Sequence, residues 1–237
     1  MSSDSDSVSR VTSLPVVEVA GGSDVPDGDG CADLNLSGWR DAEPVRIAVA
    51  ALQQGAIVAY PTDTVYGLAA DPRRPDAVAR LFRAKQRTRD LAIPVIAADA
   101  AQVSRIGRLS TIGATLAATF WPGPLTLVID ADPGLDPQLL GGRDTVAVRV
   151  PRSLIGRGLA RGLGYPVTAT SANRSGVPVC RTAQEIVTML GPDLSLILDG
   201  GPSASARPST IVDVSQNVPV LIRDGVVPWE RVLQSLA

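Results

Sequence analysis

From residue 45 onward, short apolar runs alternate with segments of helical spacing, and that alternation restricts the chain to folds in which helices pack against a sheet. Residues 44–54 carry Val45, Ala48, Val49 and Leu52 on one helical face and stop at Gly55. Residues 56–60 read as a buried strand closed by Pro61. Residues 75–87 read as a helix, with Pro75 in the first turn and Val78, Leu81 and Phe82 on one face. Further strands are expected at 93–97, 125–129, 145–150, 167–170, 194–198, 210–214 and 220–223. Helices are expected at 111–121, at 152–163 with glycine interruptions, at 182–190 and at 229–236. Seven or eight strands interleaved with helices mean an α/β protein. Not every connection holds a helix, so a single sheet of mixed rather than purely parallel strands is expected.

Charge divides the chain unequally. Residues 1–44 hold nine acidic and two basic residues, whereas 45–237 hold 15 acidic and 20 basic ones. The first segment is rich in Ser, Asp and Gly, has no usable period, and buries too little apolar surface to offset the entropy of ordering. It is expected to form a disordered acidic tail over 1–40, with Trp39 near the start of order and a folded domain over 41–237. A net +5 on the body suits an anionic ligand.

Residue counts exclude several chemistries. Histidine is absent from the 237 residues, so no Ser-His-Asp or Cys-His arrangement exists. The two cysteines, Cys31 and Cys180, cannot build a four-ligand Cys/His zinc site, and no metal ligands are assigned. Two thiols suit a reducing cytosol. No run of about 18 apolar residues occurs, so no membrane association is expected. The Ser/Asp-rich start is no secretory signal, and a cytoplasmic location is expected. Gly-x-x-x-x-Gly-Lys-Ser/Thr, Gly-x-Gly-x-x-Gly and Gly-x-Ser-x-Gly are all missing. Eight aromatic residues make a poor stacking platform for single-stranded nucleic acid.

What remains is concentrated at strand ends, where open α/β sheets bind ligands. Tyr60-Pro61-Thr62-Asp63-Thr64-Val65-Tyr66-Gly67 follows the first strand of the body. Arg149 closes Thr145-Val146-Ala147-Val148-Arg149, Thr170-Ser171-Ala172-Asn173 ends another run, and Ser209-Thr210 opens a late strand. Taken singly, such residues are as well explained by helix caps and turns. Lys85 is sharper. It is the one lysine among 22 basic residues, at a helix C-terminus in Lys85-Gln86-Arg87. Arginine satisfies a helix dipole equally well, so a lone lysine hints at a role that needs a compact point charge on phosphate.

In this order these segments resemble the YrdC-like family, the threonylcarbamoyl-AMP synthases. The resemblance rests on Tyr60 to Leu68, on Ala84-Lys85-Gln86-Arg87, on Trp121-Pro122-Gly123-Pro124-Leu125-Thr126-Leu127, on Val148-Arg149-Val150-Pro151 and on Thr170-Ser171-Ala172-Asn173-Arg174-Ser175-Gly176. Asp199-Gly200-Gly201, Ser209 to Asp213 and Leu221 to Gly225 complete it, so that about 45–235 is covered. The resemblance implies a twisted mixed β-sheet flanked by helices around a basic concave cavity. It implies that L-threonine, bicarbonate and ATP, accompanied by Mg²⁺, give threonylcarbamoyl-AMP and pyrophosphate. A downstream tRNA threonylcarbamoyl-transferase complex then modifies an adenosine beside the anticodon, and tRNA or other RNA joins the expected partners. By matching position, Lys85 and Arg87 are the catalytic pair that neutralises phosphate and carbamate charge. Lys85, Arg87, Thr145, Ser171, Asn173, Ser209 and Arg223 would bind ATP, while Thr64 and Arg149 would bind threonine, with Arg149 on its carboxylate. The Gly/Ser/Pro-rich stretch 200–208 is expected to act as a lid.

The chain departs from the family pattern at Thr88 and Ala92-Ile93, where many members have Pro and Pro-Leu, and near Ile96, where a histidine is frequent. No counterpart of the second domain of longer members follows Arg223, so the short single-domain form is expected. Two other readings remain open: a nucleotide- or double-stranded-RNA-binding module without turnover, and a paralogue acting on a different carbamoyl acceptor.

Overall fold

A computed structural model describes residues 14–19, 42–88, 90–203, 207–216 and 218–237. Cys31, Trp39, Arg89, most of the expected tail and the centre of the expected lid, 204–206, lie outside the described residues. In chain order the elements are β1 (Val16–Glu18), α1 (Glu43–Gln53), β2 (Val58–Tyr60), β3 (Gly67–Ala69), α2 (Pro75–Lys85), β4 (Val95–Ile96) and α3 (Ala100–Val103). They continue with β5 (Gly107–Arg108), α4 (Thr111–Phe120), β6 (Leu125–Ala131), α5 (Pro137–Leu140), β7 (Thr145–Arg149), α6 (Leu154–Leu163), β8 (Val167–Thr168) and β9 (Thr170–Ser171). Last come α7 (Ala183–Leu190), β10 (Leu196–Asp199), β11 (Thr210–Asp213), β12 (Val220–Arg223) and α8 (Trp229–Gln234).

The fold class is α/β with mixed pairing, as the sequence indicates, but the strands divide into two sheets rather than one. A five-stranded sheet runs β1-β10-β2-β3-β9, and a seven-stranded one runs β12-β11-β6-β7-β4-β8 with β5 added beside β6. The expected strand at 167–170 is shared between them. β8 pairs with β4 in the larger sheet, and two residues later β9 pairs with β3 in the smaller one. Thr168 pins the crossing: its hydroxyl accepts from the Ala70 amide at 2.7 Å and donates to the Leu68 carbonyl at 3.1 Å. The expectation of disorder throughout 1–40 is corrected at Val16–Glu18, which pairs in parallel with β10. Leu14-Pro15-Val16-Val17-Glu18-Val19 is a local β-branched run that the acidic average of its surroundings conceals.

Side-chain alternation decides where the core ends and the cavity begins. In the smaller sheet both faces are covered. Val58 and Tyr60 enter one core with α1 and α6, while Ala59 enters a larger core with α2. In the larger sheet one face is core and the other is not. Leu125, Leu127 and Ile129 of β6 and Val146 and Val148 of β7 are fully packed. Their neighbours Thr126, Val128, Thr145, Ala147 and Arg149 point the opposite way and line a cavity.

Gly225 fixes one wall of that cavity. A Cβ there would stand 2.4 Å from the Thr210 nitrogen and 2.5 Å from the Pro208 oxygen, on either side of Ser209. Gly225→Ala is therefore expected to cost ~1–3 kcal/mol through backbone displacement. A thermal midpoint equal to that of the wild type would contradict this packing.

Candidate functional site

The cavity has a volume of about 380 Å³ and opens between the uncovered face of the larger sheet and the β2–β3 and β9 ends of the smaller one. Of the site residues expected from sequence, Thr64, Arg87, Thr145, Arg149, Ser171, Ser209 and Arg223 line it, and Lys85 and Asn173 do not. Arg143, Tyr60 and Tyr66 line it as well. Four arginines and no carboxylate face one space, so its chemistry selects an anion.

The Lys-x-Arg spacing has a local cause. Helix α2 ends at Gln86, whose φ of 50° and ψ of 41° lie in the left-handed region. The amides of Gln86 and Arg87 bond back to Arg83 and Phe82. The reversal keeps Lys85 on the buried side of the helix and sends Arg87 into the cavity. Lys85 is only 2% exposed. Its ammonium donates to the Ser171 carbonyl at 2.5 Å, the Asn173 carbonyl at 2.8 Å and Asn173 Oδ1 at 3.3 Å. The Lys85 carbonyl in turn accepts from the Ser175 amide at 2.8 Å. The charge thus sits behind the cavity wall, not on its surface. Three protein oxygens surround the ammonium, and Lys85 is not among the residues that line the cavity. Burial, and secondarily the neighbouring Arg87, pushes Lys85 down to about 7.

Asn173 shares this hidden position. Its Oδ1 accepts from the Ser171 hydroxyl at 2.6 Å, and its Nδ2 donates to the Val177 carbonyl at 2.6 Å. Asn173 therefore shapes the turn that presents Ser171. Arg87 donates to the Ala92 carbonyl at 2.8 Å, while its buried Nε has no partner. Burial lowers the Arg87 pKa, and Asp90 opposes that shift.

Across the cavity, Arg149 closes β7 and lies 3.2 Å from Asp63. Asp63 is held in a hydroxyl-braced turn, in which Thr62 donates to the Val65 carbonyl at 2.7 Å and accepts from the Thr64 amide at 3.1 Å. Arg223 of β12 reaches the Ser209 carbonyl at 2.8 Å and the Ser209 hydroxyl at 3.1 Å, and that hydroxyl lies 2.8 Å from Thr126. Burial and the Arg149 charge both lower the Arg223 pKa. The Tyr66 hydroxyl donates to the Gly201 carbonyl at 2.7 Å and accepts from the Gly200 amide at 3.1 Å, anchoring the start of the 200–208 stretch.

Sequence reasoning missed Arg143, Asp63 and Tyr60 as site residues. Arg143 follows Gly141 and Gly142, both at positive φ, in a turn that carries no period. The double glycine beside an arginine is the only signal it offers. Among the described residues no group of three or more His, Cys, Asp or Glu could hold a metal ion, and no helix is long and apolar enough to cross a membrane.

An arginine-lined cavity between two mixed sheets, with hydroxyls at the strand ends, defines an α/β protein that handles anions with side chains instead of a glycine-rich loop. The comparisons name the class. The family model for Sua5, YciO and YrdC proteins, described as "Telomere recombination", matches residues 50–225. A threonylcarbamoyl-AMP synthase of Vibrio vulnificus is 41% identical over 168 residues, 70% of this chain and 90% of the relative. One from Bacillus subtilis is 37% identical over 187 residues, 78% of this chain but 54% of the relative. The chain thus spans about half the length of some curated relatives. The solved structure of Pyrococcus abyssi Sua5 complexed with L-threonine is similar at a TM-score of 0.80 and 32% identity, covering 93% of this chain and 60% of that one. The chain belongs to the Sua5/YciO/YrdC family.

The buried lysine carries a pH prediction. The unfolded chain holds its Lys85 proton up to the ordinary value near 10.5, and the folded one loses it near 7. Between those values the unfolded state binds more protons, so this group makes stability rise with pH. The burial cost is fully present below about pH 7. Lys85→Met is expected to remove that rise, on the order of 1 kcal/mol per pH unit. The comparison belongs between about pH 7 and pH 9.5, below the range where buried tyrosines titrate in the unfolded chain. Urea midpoints with the same pH slope in both proteins would contradict it.

Proposed function

We propose that this protein forms threonylcarbamoyl-AMP from L-threonine, bicarbonate and ATP, releasing pyrophosphate. The observation that carries the reading is the single cavity in which Arg87, Arg143, Arg149 and Arg223 face one another with strand-end hydroxyls between them. The relatives of that name support it, as does the L-threonine in the Pyrococcus structure. Chemically, the threonine amine and bicarbonate combine to a carbamate with loss of water. A carbamate oxygen then attacks the α-phosphorus of ATP, the bond from that phosphorus to the bridging oxygen breaks, and pyrophosphate leaves. Such transfer depends on position and charge neutralisation more than on a protein base, which suits a site without histidine.

On this reading Arg149 takes the threonine carboxylate, with Thr64 beside it. Arg87 meets phosphate and carbamate charge, with Arg143 adding a cation at the rim. Ser171, Thr145, Ser209 and Arg223 hold the nucleotide. Lys85 and Asn173 act as positioning residues through Ser171. Magnesium would neutralise phosphate charge, and with no cluster of ligating side chains among the described residues it would be held by the phosphates and water. The setting is the cytoplasm, where a downstream transferase complex passes the group to tRNA.

Incubation with ATP, bicarbonate and single amino acids tests the proposal. Pyrophosphate release is expected with threonine. Arg87→Ala is expected to lower kcat by about 100-fold, and Arg149→Ala to raise the threonine KM by at least about tenfold. Salt-sensitive RNA binding with no release from any amino acid would overturn the reading in favour of a binding module. Release with an amino acid other than threonine would favour a different acceptor.

A further inference from the structure

Two buried polar atoms of cavity-lining residues, Tyr60 Oη and Arg149 Nη1, and one beside Arg149, Asp63 Oδ1, have no hydrogen-bond partner. The last two lie within ion-pair distance of each other without forming an aligned hydrogen bond. Tyr60 is wholly buried at the end of β2 and lines the cavity. Its ring is sandwiched between two glycines. A Cβ at Gly67 would stand 3.0 Å from Cζ and 3.1 Å from Oη, and one at Gly156 would stand 3.3 Å from Cε2. The hydroxyl is therefore fixed in place by backbone, not left to find a partner by rotating away.

A buried hydroxyl with nothing to bond costs about 1–3 kcal/mol, and phenylalanine would fill the same space without that cost. Arg149 and Asp63 both act on this hydroxyl, whose proton is not donated to any group of the chain, and a ligand carboxylate seated on Arg149 would offer it an acceptor. A carboxylate has two oxygens and room for several donors, so one can dock on Arg149 while the other accepts from Tyr60. We infer that the Tyr60 hydroxyl donates a hydrogen bond to the carboxylate of the amino-acid substrate beside Arg149, and so sets affinity at that end of the cavity. This rests on the proposed function and adds a binding residue to it. Burial raises the hydroxyl's pKa further above its ordinary value, so it remains a donor throughout the physiological range.

Tyr60→Phe removes one oxygen atom and tests the inference. Calorimetric affinity for L-threonine is expected to fall about tenfold, with the threonine KM rising to match. The ATP KM, kcat at saturation and the thermal midpoint should stay as in the wild type, or the midpoint should rise. L-threoninol, which lacks the carboxylate, should bind both proteins alike. Equal L-threonine affinity in the two proteins overturns the inference and leaves the proposed function standing. A tenfold loss for L-threoninol as well, or a fall in midpoint with equal losses for ATP and threonine, overturns it too. No binding of L-threonine by the wild type overturns both.

Discussion

The arrangement depends on one buried lysine side chain. Lys85 spans from the end of α2 to the turn after β9, where its side chain holds the Ser171 and Asn173 carbonyls and its own carbonyl holds the Ser175 amide. Lys85 and Asn173 are both buried there, close to where the two sheets meet. Buried backbone oxygens left without donors are costly, so the lysine is what permits the turn to take this shape. Arginine carries the same charge on a flat, wider fork and cannot place donors on three oxygens around one nitrogen. The lone lysine of the sequence thus gains a physical reason that its composition only hinted at.

Around this clamp, the cavity follows from strand alternation. β6 and β7 devote one face to aliphatic packing, so their other face is free to carry Thr126, Thr145 and Arg149. Gathering arginines there is unfavourable on its own. Arg223 feels both its burial and the charge of Arg149, and Asp63 lies 3.2 Å from Arg149 while its other oxygen accepts from the Arg152 amide at 3.2 Å. An anionic ligand would offset that repulsion.

Much of this was legible in the sequence where the signal is local. Runs such as Leu125 to Ile129 and Thr145 to Arg149 announce their strands by alternation, and the strand-end residues of the family pattern converge in one cavity. The two-sheet division was not legible, because β3, β5, β8 and β9 are only two or three residues long and exist through pairing with partners far along the chain. Strand β1 was hidden by averaging over an acidic segment. The direction of Lys85 turns on a single left-handed residue, Gln86, whose type gives no warning of it. Tyr60 reads as ordinary core in sequence, and only its unpartnered hydroxyl sets it apart.

The most direct test compares threonine-dependent pyrophosphate release by Lys85→Arg and by the wild type at saturating ATP. If Lys85 shapes the Ser171–Asn173 turn through its compact geometry, the variant keeps its charge and its near-ultraviolet circular dichroism yet loses release by about 100-fold. Release at the wild-type rate by Lys85→Arg would contradict the account, because charge alone would then be enough.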